Sequence, residues 1–232
     1  MVNILLTGAS RGIGAATVAA LSGHNVVGQS TKGGGGFIGA DFALPRAADA
    51  LWAEALERCG GRIDVLVNNA GVFETADIDD SDDAFAEAWA RSHAINLQSA
   101  ADLCRHAVRH FRASGGGRIV NVASRAGHRG DSPKHWHYAA AKAGMIGMTK
   151  SIARGFAADN ILAFAVAPGF TMTGMAEEYL SSRGGDKLLA DIPLGRVAGA
   201  EEVAETIRWL ALEAPASLTG ATLDINGASY VR

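Results

Sequence analysis

Thr7-Gly8-Ala9-Ser10-Arg11-Gly12-Ile13-Gly14 follows directly on the apolar run Val2 to Leu6, and this junction decides how the chain is read. The apolar run predicts a buried strand over Val2 to Thr7, and the residues beyond predict a helix over 12–22, for which Ser10 offers a start. Glycines in the turn between them let the backbone come close to a pyrophosphate, whose charge the helix amides and dipole attract. The spacing is TGxxxGxG rather than GxGxxG. Gly8, Ser10, Arg11, Gly12, Ile13 and Gly14 are therefore expected to hold a dinucleotide; the alternative is a purely structural glycine turn.

Outward from this junction, short apolar runs alternate with longer amphipathic ones. That is the pattern of βαβ units winding a parallel sheet buried on both faces. Strands are predicted at Val2 to Thr7, Asn25 to Gln29, Phe37 to Ala40, Ile63 to Asn68, Gly117 to Ala123, Ile161 to Val166 and Ala221 to Ile225. Helices are predicted at 12–22, 46–58, 82–112, 137–158 and 200–212, with starts at Ser81 and at Gly199 to Glu201. This is an α/β fold, a doubly wound parallel sheet of seven strands flanked by helices, with 1–232 expected as a single nucleotide-binding and catalytic domain. Gly33 to Gly36 stands where a second crossover helix would be, so the chain is expected to pass between strands by a short turn there. Thr171 to Pro193 reads either as a lid over a site or as a plain surface excursion.

The chain has 232 residues, 48% of them apolar and 19% charged, with a net charge of −3. That composition suits a globular protein and excludes a disordered one. With no Lys/Arg run and a slight negative charge, neither nucleic acid nor an anionic membrane is an expected partner. The start of the chain has no basic leader and no apolar run is long enough to span a bilayer, so a cytoplasmic protein is expected. Cys59 and Cys104 have neither CxxC nor metal-ligand spacing and are expected to be reduced and structural.

At the end of the second strand, a carboxylate would hold a ribose 2′-hydroxyl and repel a 2′-phosphate. No acidic residue occurs from Val26 through Gly39, whereas Gln29, Ser30, Thr31 and Lys32 can donate hydrogen bonds and Arg11 adds a cation. NADP(H) is therefore the expected cofactor, with NAD(H) possible. Asp41 is placed for the adenine amino group. Asn68, Asn69, Ala70 and Gly71 close the fourth strand, at the edge where such sheets bind ligands, and suit the cofactor's sugar.

Tyr138-Ala139-Ala140-Ala141-Lys142 sets a phenol and an ammonium four residues apart on one helix face. A tyrosine near pKa 10 transfers protons at neutral pH when a neighbouring cation favours its anion. Ser124 ends the fifth strand, where its hydroxyl can hydrogen-bond a carbonyl oxygen. Asn96, a poor helix former in mid-helix, is either a polar residue on the helix face or, if buried, a holder of water or backbone.

Thr7 to Gly14, Asn68 to Gly71, Asn96, Ser124, Tyr138, Lys142 and Pro168-Gly169 together resemble the short-chain dehydrogenase/reductase family. The flavour is that of the 3-oxoacyl-(acyl-carrier-protein) reductases. The resemblance implies a Rossmann-type sheet of order 3-2-1-4-5-6-7. It implies a catalytic set in which Tyr138 is the general acid, Lys142 lowers the phenol's pKa and holds the nicotinamide ribose, Ser124 steadies the oxyanion and Asn96 holds a water. It also implies cofactor contacts from Tyr138, Lys142, Pro168, Gly169 and Thr171, with Thr173 the less well aligned of the two threonines. Partners would be a carbonyl or secondary alcohol, possibly carrier-linked, and further copies of the chain in a homodimer or homotetramer.

The chain departs from the family in its glycine run and in the polar loop 125–137, which should border the substrate. His135 and His137 in that loop lack an evident third ligand, so no metal is expected and exposure is the simpler reading. Arg129 and Lys134 are open between recognising an anionic substrate and being solvated. Competing functions are an NAD-dependent alcohol dehydrogenase of the same fold and a non-catalytic nucleotide-sensing regulator.

Overall fold

The computed structural model describes residues 1–172 and 189–232. Along them run β1 (Asn3–Leu6), α1 (Gly12–Ala20), β2 (Asn25–Ser30), β3 (Ile38–Gly39), α2 (Ala47–Arg58), β4 (Val65–Asn68) and α3 (Asp82–His93). They continue with α4 (Ser99–Ser114), β5 (Gly117–Val122), α5 (Ala126–Arg129), α6 (Trp136–Phe156), β6 (Ile161–Pro168), β7 (Thr171–Met172), β8 (Ala198–Gly199), α7 (Ala200–Leu212) and β9 (Thr222–Ile225). Seven of these strands form one sheet in the order β3-β2-β1-β4-β5-β6-β9, with every pairing parallel. β7 and β8 make a separate two-stranded pair that the sequence did not announce.

The period-two alternation of the strands divides the core into two layers. Leu5, Leu66, Ile119 and Ala163 face one side and pack with Leu51, Trp52, Leu103, Phe111 and Ile152 from α2, α4 and α6. Ile4, Leu6, Val67, Val120 and Phe164 face the other, against Val203, Ile207 and Leu210 of α7. With both faces covered, β6 is buried along its whole length. The strand order reverses between β1 and β4, which opens a crevice at their carboxyl ends.

Local chemistry accounts for the starts of α3 and α7. Ser81 accepts the Ala84 N–H at 3.3 Å, and Asp82 and Asp83 follow in the first turn, where the helix dipole favours anions. At α7, the Glu202 carboxylate reaches back to the Gly199 N–H at 2.7 Å. The predicted start at Ser10 is corrected: the N-cap of α1 is Arg11, in extended backbone, without a side-chain cap. The single helix predicted over 82–112 is also corrected, because a π-helical turn over 94–98 separates α3 from α4. Gly33 to Gly36 forms the expected short connection, all four at positive φ, and Gly34 bridges Phe37. Of the segment 171–193, Thr171 and Met172 form β7; Thr173 lies outside the described residues.

Candidate active site

The glycine turn is wedged between two strand ends. Thr7 Oγ1 accepts the N–H groups of Asn69 and Ala70, both at 3.0 Å, and Asn69 Nδ2 donates back to the carbonyls of Thr7 and Gly8. A Cβ on Gly14 would stand 1.9 Å from the Gly8 carbonyl oxygen, and one on Gly8, at φ 64°, would stand 2.8 Å from the Ala70 Cα. Only glycine permits this approach of turn, helix and β4. The first amides of α1 have no acceptor within the helix and no side-chain cap, so they are free for an anion. This cradle fits the phosphates of a dinucleotide.

Beside it, four groups from three elements converge. Tyr138 and Lys142 stand one turn apart on α6, with the Lys142 Nζ 5.7 Å from the centre of the Tyr138 ring. Ser124, which follows β5, stands near enough to the Tyr138 hydroxyl to favour its anion, while its Oγ accepts the Ala126 N–H at 3.1 Å. The loop after β4 completes the group: a Cβ on Gly71 would lie 2.9 Å from Asn96 Oδ1 and 3.6 Å from Lys142 Nζ. Burial raises the Tyr138 pKa to about 12, with the Asp131 carboxylate adding to the rise and the nearby Ser124 hydroxyl opposing it. Lys142 is 3% exposed, and burial lowers its pKa to about 8. The expectation of a phenol depressed by Lys142 is thus corrected for this state. The ammonium donates to the Val122 carbonyl at 2.8 Å, and desolvation dominates at the phenol.

The match to known proteins runs through this whole arrangement. The family model described as enoyl-(acyl carrier protein) reductase covers residues 8–228, from the glycine cradle past the last strand. The chain belongs to the short-chain dehydrogenase/reductase family. It is 36% identical over 240 residues to the 3-oxoacyl-[acyl-carrier-protein] reductase FabG of Escherichia coli (strain K12), covering 98% of this chain and 96% of that protein. The FabG proteins of Vibrio cholerae serotype O1 and Pseudomonas aeruginosa are 36% identical over 241 and 243 residues, with the same coverages. The chain is an oxidoreductase of this family. Among the described residues no helix is long and apolar enough to cross a membrane.

Within the short-chain dehydrogenase/reductase frame, several polar side chains serve the scaffold. Gln29 is 2% exposed and cross-links the turn to β3: its Oε1 accepts the Gly8 N–H at 2.8 Å and its Nε2 donates to the Ala40 carbonyl at 2.7 Å. It therefore has no amide to spare for a cofactor phosphate, a correction to its expected role. Ser30 Oγ accepts the Gly33 N–H at 3.1 Å, while Thr31, Lys32, Ser10 and Arg11 are exposed. Asp41 caps its own turn through the Ala43 N–H at 3.0 Å. Asn68 is 2% exposed and donates to Asn121 Oδ1 at 2.8 Å, and Asn121 in turn donates to Thr149 Oγ1 on α6. Asn69, expected to suit the cofactor's sugar, is instead the amide that braces the turn, donating to the Thr7 and Gly8 carbonyls.

Asn96 is fully buried, and both ends of its amide hold the Val72 backbone at 3.0 Å, while Nδ2 also reaches Ser92 Oγ. Of the two partners expected for a buried Asn96, backbone is the one its side chain holds. Pro168 ends β6 and its carbonyl accepts the Arg125 N–H at 2.9 Å; Gly169 donates to Ile225, where a Cβ would meet Asn226 at 2.8 Å. Thr171, 8% exposed, donates to the Gly169 carbonyl at 3.2 Å.

The loop 125–137 is less solvated than its polarity suggested. Lys134 is ion-paired with Asp77, and Arg129 with Asp191 at 3.0 Å, so neither cation stands free for an anionic substrate. His135 is largely buried and His137 wholly so, against the expectation of exposure. The reason is aromatic: His135 stacks on Phe73 at 3.9 Å and His137 packs near Trp89. Among the described residues no group of His, Cys, Asp and Glu has the geometry to hold a metal ion. Cys59 and Cys104 are free and buried.

Proposed function

We propose that this chain is an NADP(H)-dependent carbonyl reductase, running in reverse as an alcohol dehydrogenase, with 3-oxoacyl thioesters among its candidate substrates. The observation that carries this reading is Tyr138 with Ser124 close by and the buried Lys142 one helical turn on, next to a glycine cradle that fits a dinucleotide. Bound there, the nicotinamide cofactor supplies the hydride.

The residues of the chain supply the rest. Near neutral pH, Tyr138 is protonated and Lys142 mostly charged, the combination a reductase requires. Ser124 donates to the substrate oxygen and holds it within reach of the phenol. Tyr138 gives its proton to that oxygen as negative charge develops on it, and the Lys142 ammonium stabilises the phenolate left behind. Asn96 acts as a positioning residue, fixing Val72 and with it the backbone that approaches Lys142. Gly8, Ser10, Gly12, Ile13 and Gly14 hold the pyrophosphate, and Arg11 turns its cation to the 2′-phosphate. Ala70 and Gly71, at the rim, face the sugars, and Pro168, Gly169 and Thr171 border the carboxamide.

NADP(H) is favoured over NAD(H) by charge. Arg11, the N-cap of α1, and Lys32, two residues past β2, are both exposed, and no acidic residue lies between Val26 and Gly39. The name of the FabG relatives makes a carrier-linked 3-oxoacyl thioester a candidate substrate, and the proposed assembly is a homodimer or homotetramer. The test is consumption of NADPH and of NADH with an acetoacetyl thioester and a panel of ketones, aldehydes and quinones. Turnover with NADPH supports the proposal. Binding of NADPH without turnover on any carbonyl would favour a nucleotide sensor instead.

A further inference from the structure

The chain has eight Phe, four Trp and three Tyr, and four of these, Phe73, Phe85, Trp89 and Trp136, are linked to Tyr138 through a run of ring contacts. Phe73, two residues past Gly71, makes a T-shaped contact with the Tyr138 ring, at 4.9 Å between centres and 84° between planes. Its face lies flat on His135 at 3.9 Å and 3°. Ring contacts then continue without a break through His137 to Trp89, and from Trp89 to Trp136 and Phe85. Phe73 and Trp136 remain 39% and 46% exposed.

This wall has a definite orientation. His135 is fixed from behind by Ser132 Oγ at 2.7 Å, and the loop that carries it is tied down by the Lys134–Asp77 ion pair and by the Ala76 N–H donating to the Lys134 carbonyl at 2.9 Å. A flexible alkyl chain is served by any apolar wall. A stacked pair of rings in contact with the acid's own ring, with Phe73 still part-exposed, instead offers quadrupole-matched contacts to a planar ring, which aliphatic groups cannot exploit.

We propose that the preferred substrate carries an aryl or other planar conjugated group next to the reacting carbonyl, stacked against the Phe73–His135 pair, and that Phe73 sets this preference. The inference rests on the carbonyl-reductase reading given above and names its substrate class.

The experiment compares kcat/KM for two esters that differ in one group, a benzoylacetate and a 3-oxohexanoate, with NADPH and wild-type protein, Phe73→Leu and Phe73→Trp. The wild type should favour the aryl ester. Phe73→Leu should lower the aryl-to-alkyl ratio by about tenfold, the upper range of one aromatic pair, and Phe73→Trp should keep it. An alkyl preference in the wild type, or a ratio unmoved by Phe73→Leu, overturns the inference while leaving the reductase reading intact. Failure to reduce either ester or any other carbonyl overturns that reading, and the inference with it.

Discussion

The ammonium of Lys142 donates to the main-chain carbonyl of Val122 at 2.8 Å, tying α6 to the end of β5 two residues before Ser124. This bond keeps a charge that burial disfavours. Lys142 has a folded pKa of about 8 against 10.5 for the free side chain. Between those values the unfolded chain holds a proton that the folded one has released, so this group's contribution to stability rises with pH across that window. Measured relative to Lys142→Met, wild-type stability to denaturant should improve from pH 7 to pH 10; a flat or opposite difference would contradict a depressed lysine.

The same titration should appear in catalysis. Reduction needs Tyr138 protonated and Lys142 charged, and Lys142 loses its proton first. At saturating NADPH, kcat/KM for carbonyl reduction should fall above about pH 8. A reductive rate level through pH 10 would remove Lys142 from the mechanism.

Tyr138→Phe keeps the ring against Phe73 and deletes only the hydroxyl. General-acid catalysis contributes on the order of 10²–10⁴-fold, so turnover should drop by that much while NADPH affinity stays near wild type. Stopped turnover combined with an unchanged binding isotherm is the expected pair of results.

Arg11 and Lys32 should separate the two nucleotides. Arg11→Ala and Lys32→Ala are each expected to weaken NADPH by about tenfold, the scale of one charge-assisted hydrogen bond, and to leave NADH almost untouched. Equal losses for both nucleotides would place the 2′-phosphate elsewhere.

Two glycine-to-alanine changes should act in opposite directions. Gly14→Ala sets a methyl 1.9 Å from a backbone oxygen that cannot move aside, so it should cost at least about 1–3 kcal/mol of stability and abolish nucleotide binding. Gly147→Ala, on α6 with nothing within 4 Å of the new methyl, should raise stability by about 0.5–1 kcal/mol, and a denaturation midpoint measures both.

Much of this was readable in advance because it is encoded locally. The run Ile4 to Leu6 and the glycines after it carry their own conformational instructions, and the interval between Tyr138 and Lys142 is helix geometry. The alternation of strands and helices was legible for the same reason, since each segment shows its period within a dozen residues. What escaped was the fate of polar side chains. Gln29, Asn68 and Asn96 are all amides of plausible function, yet each spends its hydrogen bonds on a chain segment distant in sequence: Gly8 and Ala40, Asn121, and Val72.

The covalent order of residues was therefore enough to specify a parallel α/β sheet, a glycine turn at the end of β1 and a tyrosine and a lysine one turn apart on α6. These follow from interactions within one turn or one strand. The pKa values of that pair, the burial of His137 and the ring wall beside Tyr138 arose only when β4, β5, α3 and α6 packed together. Desolvation and ring stacking depend on what surrounds a group from every side, and for these residues the surroundings come from segments tens of positions away.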